Sequence, residues 1–267
     1  MDTAPTEVYT HSHAPVVVAA HARRTAEEAA AFLLPYLTSD MHLLDVGCGP
    51  GSITAGLGKY AGRVVGIDRV PAVVADAKAR TAMSSNVSFV TGSAYALPFS
   101  DGRFDVVYAH QVLQHVADPV ALLVEAKRVL RPRGIVAVRD ADYATMTHHP
   151  HDPILDRWLE IYRAVARANG GEPDAGRRLL EWVGAAGFDE PVTTTATWTF
   201  ATPESRRWWA DLWADRIVLD HFVERAEQHG ISDRAELLSV SDSFRSWADE
   251  PAGWFAFIHG EVRAIRP

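Results

Sequence analysis

The stretch HLLDVGCGPG, residues 42–51, decides how the rest of the chain is read. A short apolar run passes straight into three glycines, with Asp45 set just before them. Apolar runs bounded by glycine are what strands buried on both faces look like. Gly47, Gly49 and Gly51 let the backbone turn sharply and approach a ligand closely. In open α/β sheets, ligands bind at the carboxyl ends of strands, near the point where strand order reverses. A glycine turn at that place, opening a helix, is therefore a candidate site.

Working outward, the same pattern recurs. RVVGI (63–67), NVSFV (86–90), FDVVYA (104–109) and GIVAVRD (134–140) read as further strands, and helical stretches fill the gaps at about 51–60, 71–83 and 118–131. Strand and helix alternating in this way mean a doubly wound α/β sheet. Beyond 140 the reading changes. Residues 152–169 and 173–186 look helical, VTTTATWTFA (192–201) looks like a longer strand, and FAFIHGEVRAI (255–265) alternates as a last strand. Pairing of these two strands as a hairpin would make 203–248, helical and carrying Trp208, Trp209, Trp213 and Trp247, an inserted cap. Ahead of the core, Ala26, Ala29, Ala30, Leu33, Leu34 and Leu37 recur at helical spacing, predicting one amphipathic helix over 20–37 that Pro35 kinks or ends. No linker divides the chain. The expectation is one domain over 1–267, with a lid and helix at 1–40, a core at 41–145, a helical segment at 146–190 and the cap at 203–250.

Composition narrows the partners. The chain has 267 residues, 48% hydrophobic and 22% charged, and a net charge of -8. An acidic surface repels phosphate backbones, so no nucleic-acid partner is expected. Cys48 is the only cysteine, which excludes an intramolecular disulfide and suits a reducing cytoplasm. The N-terminus lacks a basic-then-apolar leader, and no apolar run reaches the ~20 residues of a membrane span. A cytoplasmic monomer or homodimer with no membrane partner is expected.

Two acids sharpen the glycine signal. Asp68 ends the second strand, about 20 residues after the first glycine, where an acid accepts hydrogen bonds from ribose hydroxyls. Asp45 at the mouth of the loop would repel a pyrophosphate, so NAD or ATP fits poorly. S-adenosylmethionine (SAM) carries no phosphate, and its sulfonium and ammonium favour a nearby carboxylate.

With these residues in view, the chain resembles the class I SAM-dependent methyltransferases, in particular the ubiquinone/menaquinone-biosynthesis-like branch. The resemblance is carried by LDVGCGPG (44–51), GIDRV (66–70), GSAYALPFSDGRFDVVYAHQVLQHVADP (92–119) and VLRPRGIVAV (129–138). YTHSHAPVVVAAHARRTA (9–26) is similar to a lead-in of a bacterial subgroup. It implies a Rossmann-like, seven-stranded, mostly parallel sheet with an antiparallel last strand, SAM as cofactor and S-adenosylhomocysteine (SAH) as product. By the same resemblance Asp45, Gly47 and Gly49 would hold the methionine end, Asp68 the ribose, Arg69 a flank of the adenine and Ala94 its edge. Ser93 stands where the family often has an acid, and a serine can still hydrogen-bond. His110 and Gln111 would line the methyl-donor pocket.

Methyl transfer is an in-line displacement at an activated carbon, so positioning and desolvation dominate, and a base matters only if the nucleophile must lose a proton. His110, past the fourth strand, is the candidate base, and His115 reads as a local hydrogen-bonding group. Asp140 and Tyr143, in the run after the fifth strand, are the other catalytic candidates, against a plain solvated loop. His148, His149, His151 and Asp152 have no recognisable ligand geometry, and no metal is expected. Tyr9, His11, His13, His21, Arg23 and Arg24 form a segment that could fold over the cofactor, with Tyr9, His13 and Arg24 reaching it. The cap tryptophans read as core or as an apolar, aromatic substrate pocket. The expected activity is methylation of a small, apolar or aromatic acceptor. Methylation of a macromolecule, and SAM binding without transfer (a regulator or cyclase-like catalyst), stay open.

Overall fold

A computed structural model of the chain describes residues 9–10, 15–82 and 84–267. Among them run α1 (Pro15–Ala22), α2 (Ala26–Ala29), β1 (His42–Val46), α3 (Ser52–Leu57), β2 (Arg63–Asp68), α4 (Pro71–Arg80), β3 (Val87–Thr91), β4 (Phe104–His110), α5 (Pro119–Val129) and β5 (Leu130–His149). The remainder comprises α6 (Pro153–Ala168), α7 (Leu179–Ala185), β6 (Asp189–Phe200), α8 (Pro203–Ile217), α9 (Asp220–Gln228), α10 (Arg234–Ala248) and β7 (Trp254–Ile265). The seven strands form one sheet in the order β3-β2-β1-β4-β5-β7-β6. Pairs from β3 to β5 are parallel, and β7 is antiparallel to both β5 and β6. The expected doubly wound sheet is therefore present, and strand order reverses between β1 and β4, beside the glycine turn.

Two expectations are corrected. The single helix over 20–37 is instead α1, α2 and a 3-10 turn at Leu34–Tyr36. Thr25 starts α2 afresh, its side chain accepting from the Glu28 N–H at 3.2 Å, and Pro35 stands at the start of the 3-10 turn. The apolar positions still do their work: Ala26, Ala29, Ala30 and Leu33 are buried against β1 and α3. The fifth strand is also far longer than 134–140. The run Arg139 to Tyr143 lies inside β5 and is buried, because β7 pairs along it from Ile135 to Asp142 and again from Thr147.

β6 and β7 form the expected hairpin around the inserted helices α8, α9 and α10. The cap tryptophans prove to be core. Trp209, Trp213 and Trp247 are buried with Trp158 of α6 and Phe200, Phe244, Phe255 and Phe257, and none of them lines the main cavity. Trp158 is the hub, its ring meeting Trp213 at 4.5 Å and Phe244 at 4.9 Å. Among the described residues no helix is long and apolar enough to cross a membrane.

Replacing Trp158 with Ala should cost about 3–5 kcal/mol in urea unfolding. Trp158→Phe should cost much less, because the buried indole N–H it removes has no hydrogen-bond partner among the described residues. Asp140 gives a second test. It is fully buried, accepts from the Gln114 N–H at 3.1 Å, and burial pushes its pKa up to about 8. Its folded-state pKa lies above the unfolded one, so it costs stability as pH rises through the window between them. Asp140→Asn should match the parent near pH 4 and pull ahead in melting temperature up to about pH 8, with no further gain beyond.

Candidate active site

At the carboxyl end of β1 the backbone enters the left-handed region at Gly47, Gly49 and Gly51 (φ +69°, +51° and +80°), where a side chain is strained. Two of these also sit in close quarters. A Cβ on Gly47 would fall 2.5 Å from Val112, and one on Gly51 2.8 Å from the Phe89 ring. The turn is tied to β2 by the Gly47 and Cys48 N–H groups, both donating to the Ile67 carbonyl. Asp68 ties it from the other side, accepting from Gly49 N–H at 3.1 Å and Val70 N–H at 3.0 Å. Asp45 is 3% exposed, accepts from the Thr54 hydroxyl at 2.6 Å, and has its pKa raised to about 7, first by burial and then by the Asp68 charge.

These groups open onto a cavity of about 460 Å³. The structure brings together Tyr9, Arg24, Asp45, Gly47, Gly49, Asp68, Arg69, Ser93, Ala94, His110 and Gln111, all in its wall. His13 and His11 lie outside the described residues. The cavity also takes in Val17, Val18 and His21 of α1, together with Tyr95, His115 and Val116. Sequence reading placed no role on the two valines or on Tyr95 and Val116. Their apolar character was visible, but the fold of the N-terminal segment over the loop was not.

That segment is clamped at several points. Thr10 is buried, its hydroxyl accepting from Asn169 at 3.2 Å and its carbonyl lying 3.0 Å from His221 Nε2. The Tyr9 ring meets His115 edge-on at 4.8 Å, and the Ser52 hydroxyl donates to the His21 carbonyl. Arg23 stands over Trp208 at 5.3 Å and Arg24 over Trp198 at 5.4 Å.

The catalytic candidates divide. His110 lines the cavity, and neither ring nitrogen has a hydrogen-bond partner among the described residues. Burial, then Arg24 and Arg139, hold its pKa well below the usual imidazole range, so the ring is neutral. His115, expected to be a local hydrogen-bonding group, does contact Gln114 at 2.9 Å but also lines the cavity; burial lowers its pKa to about 3. Asp140 and Tyr143 are not in the cavity wall. Asp140 is locked under the turn at Leu113–His115, and Tyr143 stacks on Tyr162 at 4.4 Å within the cap core. Both sit in a paired strand, so neither has the loop position expected for it. Of the histidine cluster, His148 and His151 approach Asp156 to within 4.8 Å, whereas Asp152 caps α6 by accepting from Ile154 N–H. The Asp152 N–H already donates to His148 Nε2 at 3.2 Å.

The methyltransferase domain family matches residues 44–138, the span from the glycine turn to β5. An uncharacterized methyltransferase of Schizosaccharomyces pombe is 36% identical over 256 residues, 91% of this chain and 90% of that one. The 2-methyl-6-phytyl-1,4-hydroquinone methyltransferase of Synechocystis is 32% identical over 180 residues, 64% of this chain and 53% of its own length. Among solved structures, the YcgJ protein of Bacillus subtilis superposes with a TM-score of 0.56 at 20% identity, covering 89% of this chain and 97% of that one. A relative matched over nearly its whole length, a domain match that begins at the glycine turn and the switch-point cavity place the chain in one family: it belongs to the class I, SAM-dependent methyltransferases.

Proposed function

We propose that the protein transfers the methyl group of SAM to a small aromatic or apolar molecule, in the cavity between the glycine turn and α1. The observation that carries this reading is the lining of that cavity, where the glycine turn, Asp45 and Asp68 share one space with His110, Gln111 and the apolar and aromatic side chains of Val17, Val18, Tyr9 and His115. In this reading Asp45, Gly47 and Gly49 hold the methionine part, with Arg24 at its carboxylate. Asp68 takes the ribose hydroxyls, and Arg69, Ser93 and Ala94 border the adenine. Bound SAM supplies an activated methyl carbon. The chain then aligns the acceptor and excludes water. A neutral His110 can accept a proton from an acceptor hydroxyl as its oxygen attacks, although its low pKa makes it a weak base. The hydroquinone substrate in the name of the Synechocystis relative supports a small ring-bearing acceptor. We retain the division into lid, core, helical segment and cap within one domain as part of this proposal.

Calorimetry tests the cofactor half. SAM and SAH should both bind in the micromolar range, NAD should not bind, and Asp68→Ala should lose most of the affinity. Mass-spectrometric detection of methylated product from a panel of phenols and hydroquinones tests the acceptor half. SAM binding with no transfer to any small molecule would leave only a non-transferring or macromolecular role. The raised pKa of Asp45 adds a pH signature. The cofactor's cationic groups favour the carboxylate, so below pH 7 binding must first expel a proton. SAM affinity should rise roughly tenfold from pH 6 to pH 8 and then level off, and Asp45→Asn should flatten the profile.

A further inference from the structure

Gln111 directly follows β4 and holds a left-handed backbone (φ +54°) that side-chain-bearing residues rarely adopt. Its N–H donates to the Arg139 carbonyl at 2.7 Å. From this turn its side chain reaches past β5 to β7, where Nε2 lies 2.8 Å from His259 Nε2. His259 is fully buried, with Ala141 of β5 and Ala196 of β6 as its register partners. Two alanines leave room for an imidazole, and Trp198 and Phe257 close around it with ring centroids at 4.5 and 5.0 Å.

Two nitrogens this close must be one donor and one acceptor. His259 is neutral, because burial, then the Arg139 and Arg24 guanidiniums, hold its pKa well below the usual range. A neutral ring has a single N–H. If Nδ1 carried the proton, a buried donor would be left without an acceptor, since Nδ1 has no hydrogen-bond partner among the described residues. Orphaned buried N–H groups are rarer than orphaned acceptors. With the proton on Nε2, the ring must donate to an oxygen. A half-turn of the Gln111 amide, which changes nothing in its shape, supplies that oxygen. The amide N–H₂ is then left with no hydrogen-bond partner among the described residues, on a side chain that lines the cavity. In the methyl-transfer reading Asp45, Asp68 and the loop take the cofactor's polar groups, which leaves the Gln111 amide available to the acceptor.

We propose that Gln111 donates its amide N–H₂ to an oxygen of the methyl acceptor, and that His259 is the positioning residue that sets this orientation by donating Nε2–H to the Gln111 carbonyl oxygen. The inference rests on the methyl-transfer reading above and assigns the acceptor class: a small molecule with a ring hydroxyl or carbonyl oxygen beside the methylated atom. His259 itself does not touch the acceptor.

The test is nitrogen NMR on protein labelled at His and Gln, in complex with SAH, with 1,4-dimethoxybenzene, whose oxygens only accept hydrogen bonds, as probe. The expected result is a single His259 proton, on Nε2, unchanged from pH 5 to pH 9, with Gln111 N–H₂ signals that move as the probe is added. Gln111→Glu keeps an oxygen for His259 but presents a carboxylate in place of the donor. It should weaken probe binding roughly tenfold or more, and by a larger factor than it weakens SAH binding. His259→Phe should abolish the probe-induced shift of Gln111 with SAH still bound. A proton on Nδ1, or Gln111 signals that the probe leaves in place, would overturn the proposal. Tenfold weaker SAH binding by Gln111→Glu would also overturn it, because the amide would then be reading the cofactor's own carboxylate. Failure of SAH to bind the parent protein would instead sink the methyltransferase reading itself.

Discussion

The left-handed turn after β1 is the constraint on which the site depends. Three glycines with positive φ let the chain leave the sheet, double back to bond the end of β2 and start α3 within a few residues. A side chain at Gly47 would collide with Val112, and one at Gly51 with Phe89, so the turn is also where the loop after β4 and the β3 layer close on β1. Asp68 bonds the turn through its carboxylate, and Asp45 lies beneath it, bonded to Thr54. Shape and charge of the cofactor end are therefore set by the same few residues.

Beyond that turn the molecule separates packing from chemistry. The cap packs its Trp209, Trp213 and Phe244 with Trp158 of α6 into one aromatic core, closed against the far half of β5 and β7. The N-terminal segment supplies part of the cavity wall instead, held to the cap by Thr10 at His221 and Arg23 at Trp208, and to β6 by Arg24 at Trp198. Trp198 of β6 sits where the two meet, with Arg24 over its ring at 5.4 Å, Arg139 at 5.6 Å and His259 at 4.5 Å. Arg139 is balanced by an ion pair to Glu261 at 3.1 Å within the buried strands. A buried charge kept this way is costly to strip of its partner. The Arg139–Glu261 pair thus lies in the buried strands behind His110 and Gln111, and burial first, then the Arg24 and Arg139 guanidiniums, keeps the imidazoles there neutral.

The sheet, the glycine turn, both acids and the inserted cap were legible in the sequence because each leaves a local mark. Strands buried on both faces must be apolar along their length, a left-handed turn needs glycine, and a hairpin around an insertion shows as two alternating runs. Asp45, Asp68 and His110 follow from that reading by position at strand ends, and Gln111 from the family resemblance. What local pattern could not carry was pairing between distant segments. Arg139 to Tyr143 looked like a loop, since a strand's extent depends on the partner beside it, and β7 comes more than a hundred residues later. Asp140 and Tyr143 were thereby turned from candidate catalysts into buried structure. The break between α1 and α2, the burial of Thr10 under α6 and α9, and the reach of Gln111 to His259 were likewise decided only in three dimensions, because each depends on a contact between segments that the sequence keeps far apart.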